Sequence, residues 1–213
     1  KQMLDLWLAT FIIENSLEDY LAKNGRPIQY EKLSNQYPLS WYQTFFSFHP
    51  GSSEMPSAGR GFTKELVNRL LKKGITIAPI LLHTGVSSLE ENETPYPEYM
   101  EIDPVSASII NVAKSQGRRI IAVGTTTIRA VETAADKDGI VLPYRGNTEL
   151  SINGKYKMKV VNGLLTGFHE PHASHLNMLQ SLAGFDHIDH AYQVAIKEEY
   201  YWHQFGDLHL ILP

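Results

Sequence analysis

Apolar positions recur at helical spacing in some stretches of this chain and as short continuous runs in others. Behind Thr63, Leu66, Val67, Leu70 and Leu71 fall on one face ahead of Gly74, which predicts a capped helix. The run Ile75 to Leu82 then reads as a buried strand. Asp103 followed by Pro104 opens a second helix in the preferred order, lined by Ile109, Ile110 and Ala113 and closed by Gly117. A strand over Arg119 to Val123 leads through Gly124 into a third helix, Thr127 to about Ala135. A polar, hairpin-like stretch from Asp136 to Lys159 precedes a strand, Val160 to Leu165, two helices, Ser174 to Ala183 and Ala191 to Tyr200, and a last strand, Leu208 to Leu212. At the other end, Lys1 to Ile13 is apolar on both faces and reads as strand, and Ser16 caps a short helix through Leu17, Tyr20 and Leu21 that stops at Gly25-Arg26-Pro27.

This alternation predicts an α/β fold, with a layered, mixed and partly parallel sheet flanked by helices. Ligands bind such sheets at the carboxyl ends of the strands, so motifs at that edge carry the functional reading. With 213 residues and 43% hydrophobic composition the chain has the material for a real core. Nineteen Lys plus Arg against 23 Asp plus Glu leave a net charge of -4, so no general basic field holds a nucleic-acid backbone and any RNA contact has to be local. The absence of cysteine removes disulfides, thiolate metal sites and a Cys nucleophile, and fits a reducing cytoplasm. No apolar run approaches the ~18 residues that span a bilayer, so no membrane partner is expected.

Three motifs fall at the predicted strand ends. In Gly124-Thr125-Thr126-Thr127 with Arg129, a glycine and three hydroxyl residues start a helix, offering backbone N–H groups and the positive helix end to a carboxylate, phosphate or ribose; the threonines acting only as caps is the plainer alternative. His83-Thr84-Gly85 places a proton-transferring side chain after a strand, or simply a structural histidine. Phe168-His169-Glu170-Pro171-His172-Ala173-Ser174-His175 invites a metal reading, but Pro171 breaks any helix through it and the H-E-x-x-H spacing is absent, so no metal is expected. His172 and His175 read more naturally as solvated loop and cap residues than His169 does. Two further segments have small-residue loops: Pro56-Ser57-Ala58-Gly59-Arg60-Gly61 before the first long helix, and Phe205-Gly206-Asp207 before the last strand, where Asp207 either binds a ribose or makes the turn.

Taken in order with Tyr42-Gln43-Thr44, Met55, Phe62-Thr63 and Glu132, these segments resemble the S-adenosylmethionine:tRNA ribosyltransferase-isomerase family of queuosine synthesis. The resemblance implies a catalytic domain over 16–213 that belongs to a longer chain, with 1–15 as the tail of an inserted small β-barrel domain. It implies S-adenosylmethionine as co-substrate and transfer of its ribosyl part to the aminomethyl group of a deazaguanine acceptor, a tRNA wobble base, with adenine and methionine released. Catalytic roles would fall to His169 or His83 as the base and to Glu132 or Asp207 as the carboxylate facing positive charge at C1′. Pro56, Ser57, Ala58, Gly59, Arg60, Gly124, Thr125, Thr126, Thr127, Arg129 and Phe168 would bind substrate, and Lys114, Arg118 and Arg119 would be the local cations for tRNA. Arg60-Gly61, Ser87-Ser88-Leu89 and the spacing of Ser174 depart from the family pattern, which implies a divergent paralogue with its own acceptor. Two other classes compete: a metal-dependent hydrolase built on His169, Glu170, His172 and His175, and a nucleotide-binding module without catalysis.

Overall fold

A computed structural model describes residues 9–14, 16–28, 37–85, 95–169, 174–202 and 204–213. By its contacts the chain divides into two compact units, Lys1–Leu39 and Ser40–Pro213. In the first, α1 (Leu17–Asn24) begins where Asp19 N–H donates to the Ser16 hydroxyl at 3.1 Å and ends where Gly25 N–H donates to the Leu21 carbonyl at 2.7 Å. Ala9 to Ile13 is not in strand, and the rest of the expected barrel tail, residues 1–8 and 15, lies outside the described residues.

A single helical turn, α2 (Leu39–Tyr42), and a 3-10 turn (Ser57–Gly61) lead into α3 (Lys64–Lys72), which the Thr63 hydroxyl caps by accepting from Leu66 N–H at 3.1 Å. β1 (Leu81–His83), β2 (Glu98–Ile102) and β4 (Tyr144–Thr148) form one antiparallel sheet in the order β1-β2-β4. β3 (Ile121–Val123), β5 (Gly163–Gly167) and β6 (Leu208–Ile211) form the other, in the order β3-β5-β6, parallel between β3 and β5 and antiparallel between β5 and β6. Four further helices lie among the described residues of this unit: α4 (Pro104–Ser115), α5 (Thr125–Ala134), α6 (Ser174–Ala183) and α7 (Phe185–Lys197). Among the described residues no helix is long and apolar enough to cross a membrane.

The expected mixed sheet is thus two three-stranded sheets, and α5 packs against strands of both. Its Ile128, Ala130, Val131 and Ala134 are buried in one continuous core with Met100 and Ile102 of β2, Leu164 of β5, Leu179 of α6 and Ile188 of α7. Several boundaries differ from the sequence reading. The strand expected over Ile75 to Leu82 is confined to Leu81–His83, because Pro79 has no N–H to give a ladder and its carbonyl instead accepts the Ser106 hydroxyl at 2.6 Å. The hairpin-like stretch contributes β4 to the sheet of β2 rather than a local hairpin. α5 begins two residues early, at Thr125, and α7 six residues early, at Phe185, directly after Gly184 (φ 87°).

Candidate functional site

The 3-10 turn lies across the carboxyl ends of the parallel strands. A Cβ added to Gly124, just beyond β3, would sit 3.9 Å from Ala58 Cβ, and one added to Gly167, at the end of β5, would sit 3.8 Å from Ser57 Oγ and 4.0 Å from the Asp207 carbonyl. One added to Gly61 would meet Leu208 Cδ1 of β6 at 2.7 Å. Pro56, the 3-10 turn, Gly124, Gly167 and the Asp207 turn are therefore gathered at one edge. Gly124 has φ 94° and ψ 146°, a conformation closed to side-chain-bearing residues, and its N–H donates to the Leu165 carbonyl at 2.8 Å. Among the described residues no side chain caps α5 at Gly124, so the first N–H groups of this helix have no side-chain acceptor there.

The three threonines do different things. Thr127 Oγ1 donates back to the Val123 carbonyl at 2.7 Å, which makes it a backbone clasp. The Thr126 hydroxyl donates to the Glu98 carboxylate, and Thr125 is buried. Glu98, the first residue of β2, also accepts from the Gly85 N–H and from the Arg129 guanidinium. Burial raises its pKa, an effect that Arg129 and the two hydrogen bonds oppose. Arg129 is consumed by structure: besides Glu98, its Nε donates to Leu150 O at 2.8 Å and its Nη2 to Tyr96 O at 3.0 Å and Thr148 O at 3.4 Å. Its guanidinium does not face an incoming carboxylate, as the sequence reading had it, but ties α5 to the chain around β2 and β4.

His169 follows β5. Its Nε2 is 2.8 Å from Thr166 Oγ1, its N–H donates to Tyr192 Oη at 3.1 Å, and its ring stacks on His175 with centroids 4.5 Å apart and planes 5° from parallel. Both imidazoles keep some surface yet sit deep enough for desolvation to dominate. Burial, with His175 and His209 adding to it, pushes the His169 pKa down to about 3, and His175 is also lowered, first by burial and then by Arg129. His175 therefore belongs to the buried cluster and is not a solvated cap. Glu54, one residue before Met55 and Pro56, acts electrostatically on both His175 and Glu98, and its carbonyl accepts the Thr84 hydroxyl at 2.9 Å.

Among the described residues this cluster gathers two carboxylates, Glu54 and Glu98, around one guanidinium, Arg129. His83 joins this network through its neighbours Thr84 and Gly85; its own ring stacks on Tyr99 at 5.7 Å, and its Nδ1 is buried without a hydrogen-bond partner among the described residues.

Three other expected site residues have structural surroundings. Glu132 is 1% exposed and its carboxylate accepts from Tyr156 Oη (3.1 Å) and from the N–H groups of Lys159 (2.9 Å), Val160 (2.9 Å) and Val161 (3.0 Å). With its lone pairs filled this way it anchors the entry to β5 and presents nothing to C1′ of a nucleoside. Phe168 is 7% exposed inside a ring cluster of Tyr192, Tyr200, Trp202 and His209, so it packs rather than lines the cleft. Asp207 Oδ2 accepts Tyr201 N–H at 2.8 Å and its own N–H donates to Tyr201 O at 2.8 Å, which is the turn-making alternative. Glu170, Pro171 and His172 lie outside the described residues, as do Ser87, Ser88 and Leu89. Among the described residues no group of three or more His, Asp or Glu side chains is placed to hold a metal ion.

The family model for "Queuosine biosynthesis protein" matches residues 3–211. The chain belongs to the queuosine biosynthesis protein family. The S-adenosylmethionine:tRNA ribosyltransferase-isomerase of Desulfitobacterium hafniense is 42% identical over 178 residues, covering 80% of this chain and 52% of the relative. The one from Carboxydothermus hydrogenoformans is 38% identical over 213 residues, covering 95% and 62%. A crystal structure of the S-adenosylmethionine tRNA ribosyltransferase of Thermotoga maritima superposes with a TM-score of 0.62 at 36% identity, over 73% of this chain and 51% of that one. The chain thus spans between about half and three fifths of the length of these relatives. For this family member, the fold and the family expected from the motifs both hold.

Proposed function

We propose that this family member is an S-adenosylmethionine:tRNA ribosyltransferase-isomerase, moving the ribosyl part of S-adenosylmethionine to a deazaguanine-type acceptor in tRNA, in the cytoplasm. One observation carries the reading: the 3-10 turn, the uncapped start of α5 and the His169–His175 pair converge at the ends of β3 and β5. The carboxylates of Glu54 and Glu98 there complement a sulfonium cation, and uncapped N–H groups suit ribose hydroxyls or the methionine carboxylate.

Within this reading the base assignment moves. A general base works best with a pKa near the operating pH, and His169 is displaced far below it, whereas burial displaces Glu98 upward from the ordinary carboxylate value. Glu98 accepts from three donors, Arg129, Thr126 and Gly85, beside the start of α5, which leaves one of its lone-pair sites to take the proton at C5′ that the adjacent sulfonium acidifies, and His169 orients the nucleoside by hydrogen bonding. The tRNA partner and the S-adenosylmethionine co-substrate are carried over from the relatives' names. The test is adenine release. Incubating the protein with S-adenosylmethionine and a tRNA bearing an aminomethyl-deazaguanine should liberate adenine and methionine in equal amounts, one of each per acceptor modified. S-adenosylmethionine bound without adenine release would instead favour a binding module, and hydrolytic activity requiring stoichiometric zinc would favour the hydrolase.

A further inference from the structure

Arg60 belongs to the 3-10 turn, three residues from the Ser57 that lies against Gly167. Its guanidinium lies over Phe205, with Cζ 4.7 Å from the ring centroid, and Nη1 donates to the Gln204 carbonyl at 3.0 Å. No carboxylate pairs with it among the described residues, and partial burial lowers its pKa, while a guanidinium as such stays charged in proteins. A guanidinium has five N–H donors, and this contact uses one. Phe205 is in turn packed edge-on by Tyr42 at 5.1 Å and by Trp41 at 6.1 Å, and Trp41 is 54% exposed.

We propose that Arg60 and Trp41 form the contact for the acceptor strand: Arg60 grips a backbone phosphate of single-stranded RNA, and a base next to the reacting one stacks on Trp41. The proposal rests on the reading that this site modifies an RNA base. A flat guanidinium held by stacking keeps its fork open for bidentate binding of phosphate, at little cost in side-chain entropy. An exposed indole beside it supplies the face on which unpaired bases stack. The net charge of -4 gives the protein no long-range pull on RNA, so a local, pre-positioned cation is what its affinity would need. The same guanidinium would also suit the methionine carboxylate of the donor, and the experiment separates the two anions.

The assay measures steady-state adenine release by Arg60→Gln, Arg60→Lys and Trp41→Ala proteins, varying tRNA at saturating S-adenosylmethionine and then the reverse. In parallel, fluorescence anisotropy measures binding of a labelled anticodon stem-loop RNA without turnover. Arg60→Gln should raise KM for tRNA by about tenfold, leave KM for S-adenosylmethionine within twofold and reduce the slope of log Kd for the stem-loop against log salt by about one. Arg60→Lys should fall between wild type and Arg60→Gln, and Arg69→Gln, on the exposed face of α3, should match wild type. Unchanged RNA affinity and salt slope in Arg60→Gln would overturn the proposal, as would a KM increase confined to S-adenosylmethionine. If the wild-type protein released no adenine, the enzyme reading would fail, and the anisotropy arm would still decide whether Arg60 binds RNA.

Discussion

Replacing Arg129 with methionine is expected to destabilise the protein by about 3–5 kcal/mol, the usual cost of stranding one partner of a buried ion pair. The side chains of Arg129 and Glu98 are 6% and 11% exposed, so solvent cannot take over the lost interaction. The substitution leaves Glu98 charged and buried with only Thr126 and Gly85 to satisfy it, and it deprives the Tyr96, Thr148 and Leu150 carbonyls of their donor. Urea unfolding measures the loss. Adding Glu98→Gln to Arg129→Met should recover part of it, because the unpaired charge is gone. A single Arg129→Met protein within about 1 kcal/mol of wild type would mean that the pair is solvated and that α5 is not tied to β2 in this way.

His169 is expected to show a large effect on turnover, with a chemistry that its buried position dictates. His169→Ala should lower adenine release about 100-fold, the scale of one lost hydrogen bond that orients a reacting group, while His169→Asn should retain much more. If His169 were instead the proton acceptor, Asn would be as poor as Ala. The same residue makes the fold acid-sensitive. Its pKa is about 3 when folded against an ordinary 6.5, so between those values the unfolded chain binds a proton that the folded chain refuses. Stability is full above about pH 6.5 and declines as pH falls toward 3, by up to about 1.4 kcal/mol per pH unit for each such group. His175 and His209 are shifted in the same direction and add to the slope. Urea midpoints at pH 7 and pH 5 should differ less for His169→Asn than for wild type, and equal differences would refute the buried, neutral imidazole.

The sequence makes the local features of this molecule legible and leaves the long-range pairings hidden. Ser16, Thr63 and Asp103 cap helices in the structure as they do on paper, because a cap is decided within four residues. The convergence of Pro56, Gly124 and His169 could be expected because loops gather at strand ends in an α/β fold. β2 was not legible as strand. Its Met100 and Ile102 point into the core while Tyr99 and Glu101 do not, an alternation too short to stand out after a polar stretch. Arg129 and Glu132 are both on α5, and a sequence cannot tell a cleft-facing charge from a buried one. Their partners, Glu98 and the Lys159–Val161 backbone, lie 27 to 31 residues away along the chain. The burial of His175 is hidden for a similar reason, since only the fold stacks it on His169. Glu54 and Glu98 carried no motif at all. The one available signal was that Glu98 opens an alternating segment, a place where a carboxylate is costly unless paired.

The central claim is that one cleft, bounded by the Ser57–Gly61 turn, the start of α5 and His169, receives a sulfonium nucleoside. A crystal structure of the protein with S-adenosylmethionine bound tests it directly. The account predicts the ribose or methionine carboxylate within hydrogen-bonding distance of the N–H groups at Thr125 and Thr126, and the sulfonium nearer to the Glu54 and Glu98 carboxylates than to any cation. Nucleoside bound elsewhere, with Ser57, Gly124 and His169 untouched, would contradict it.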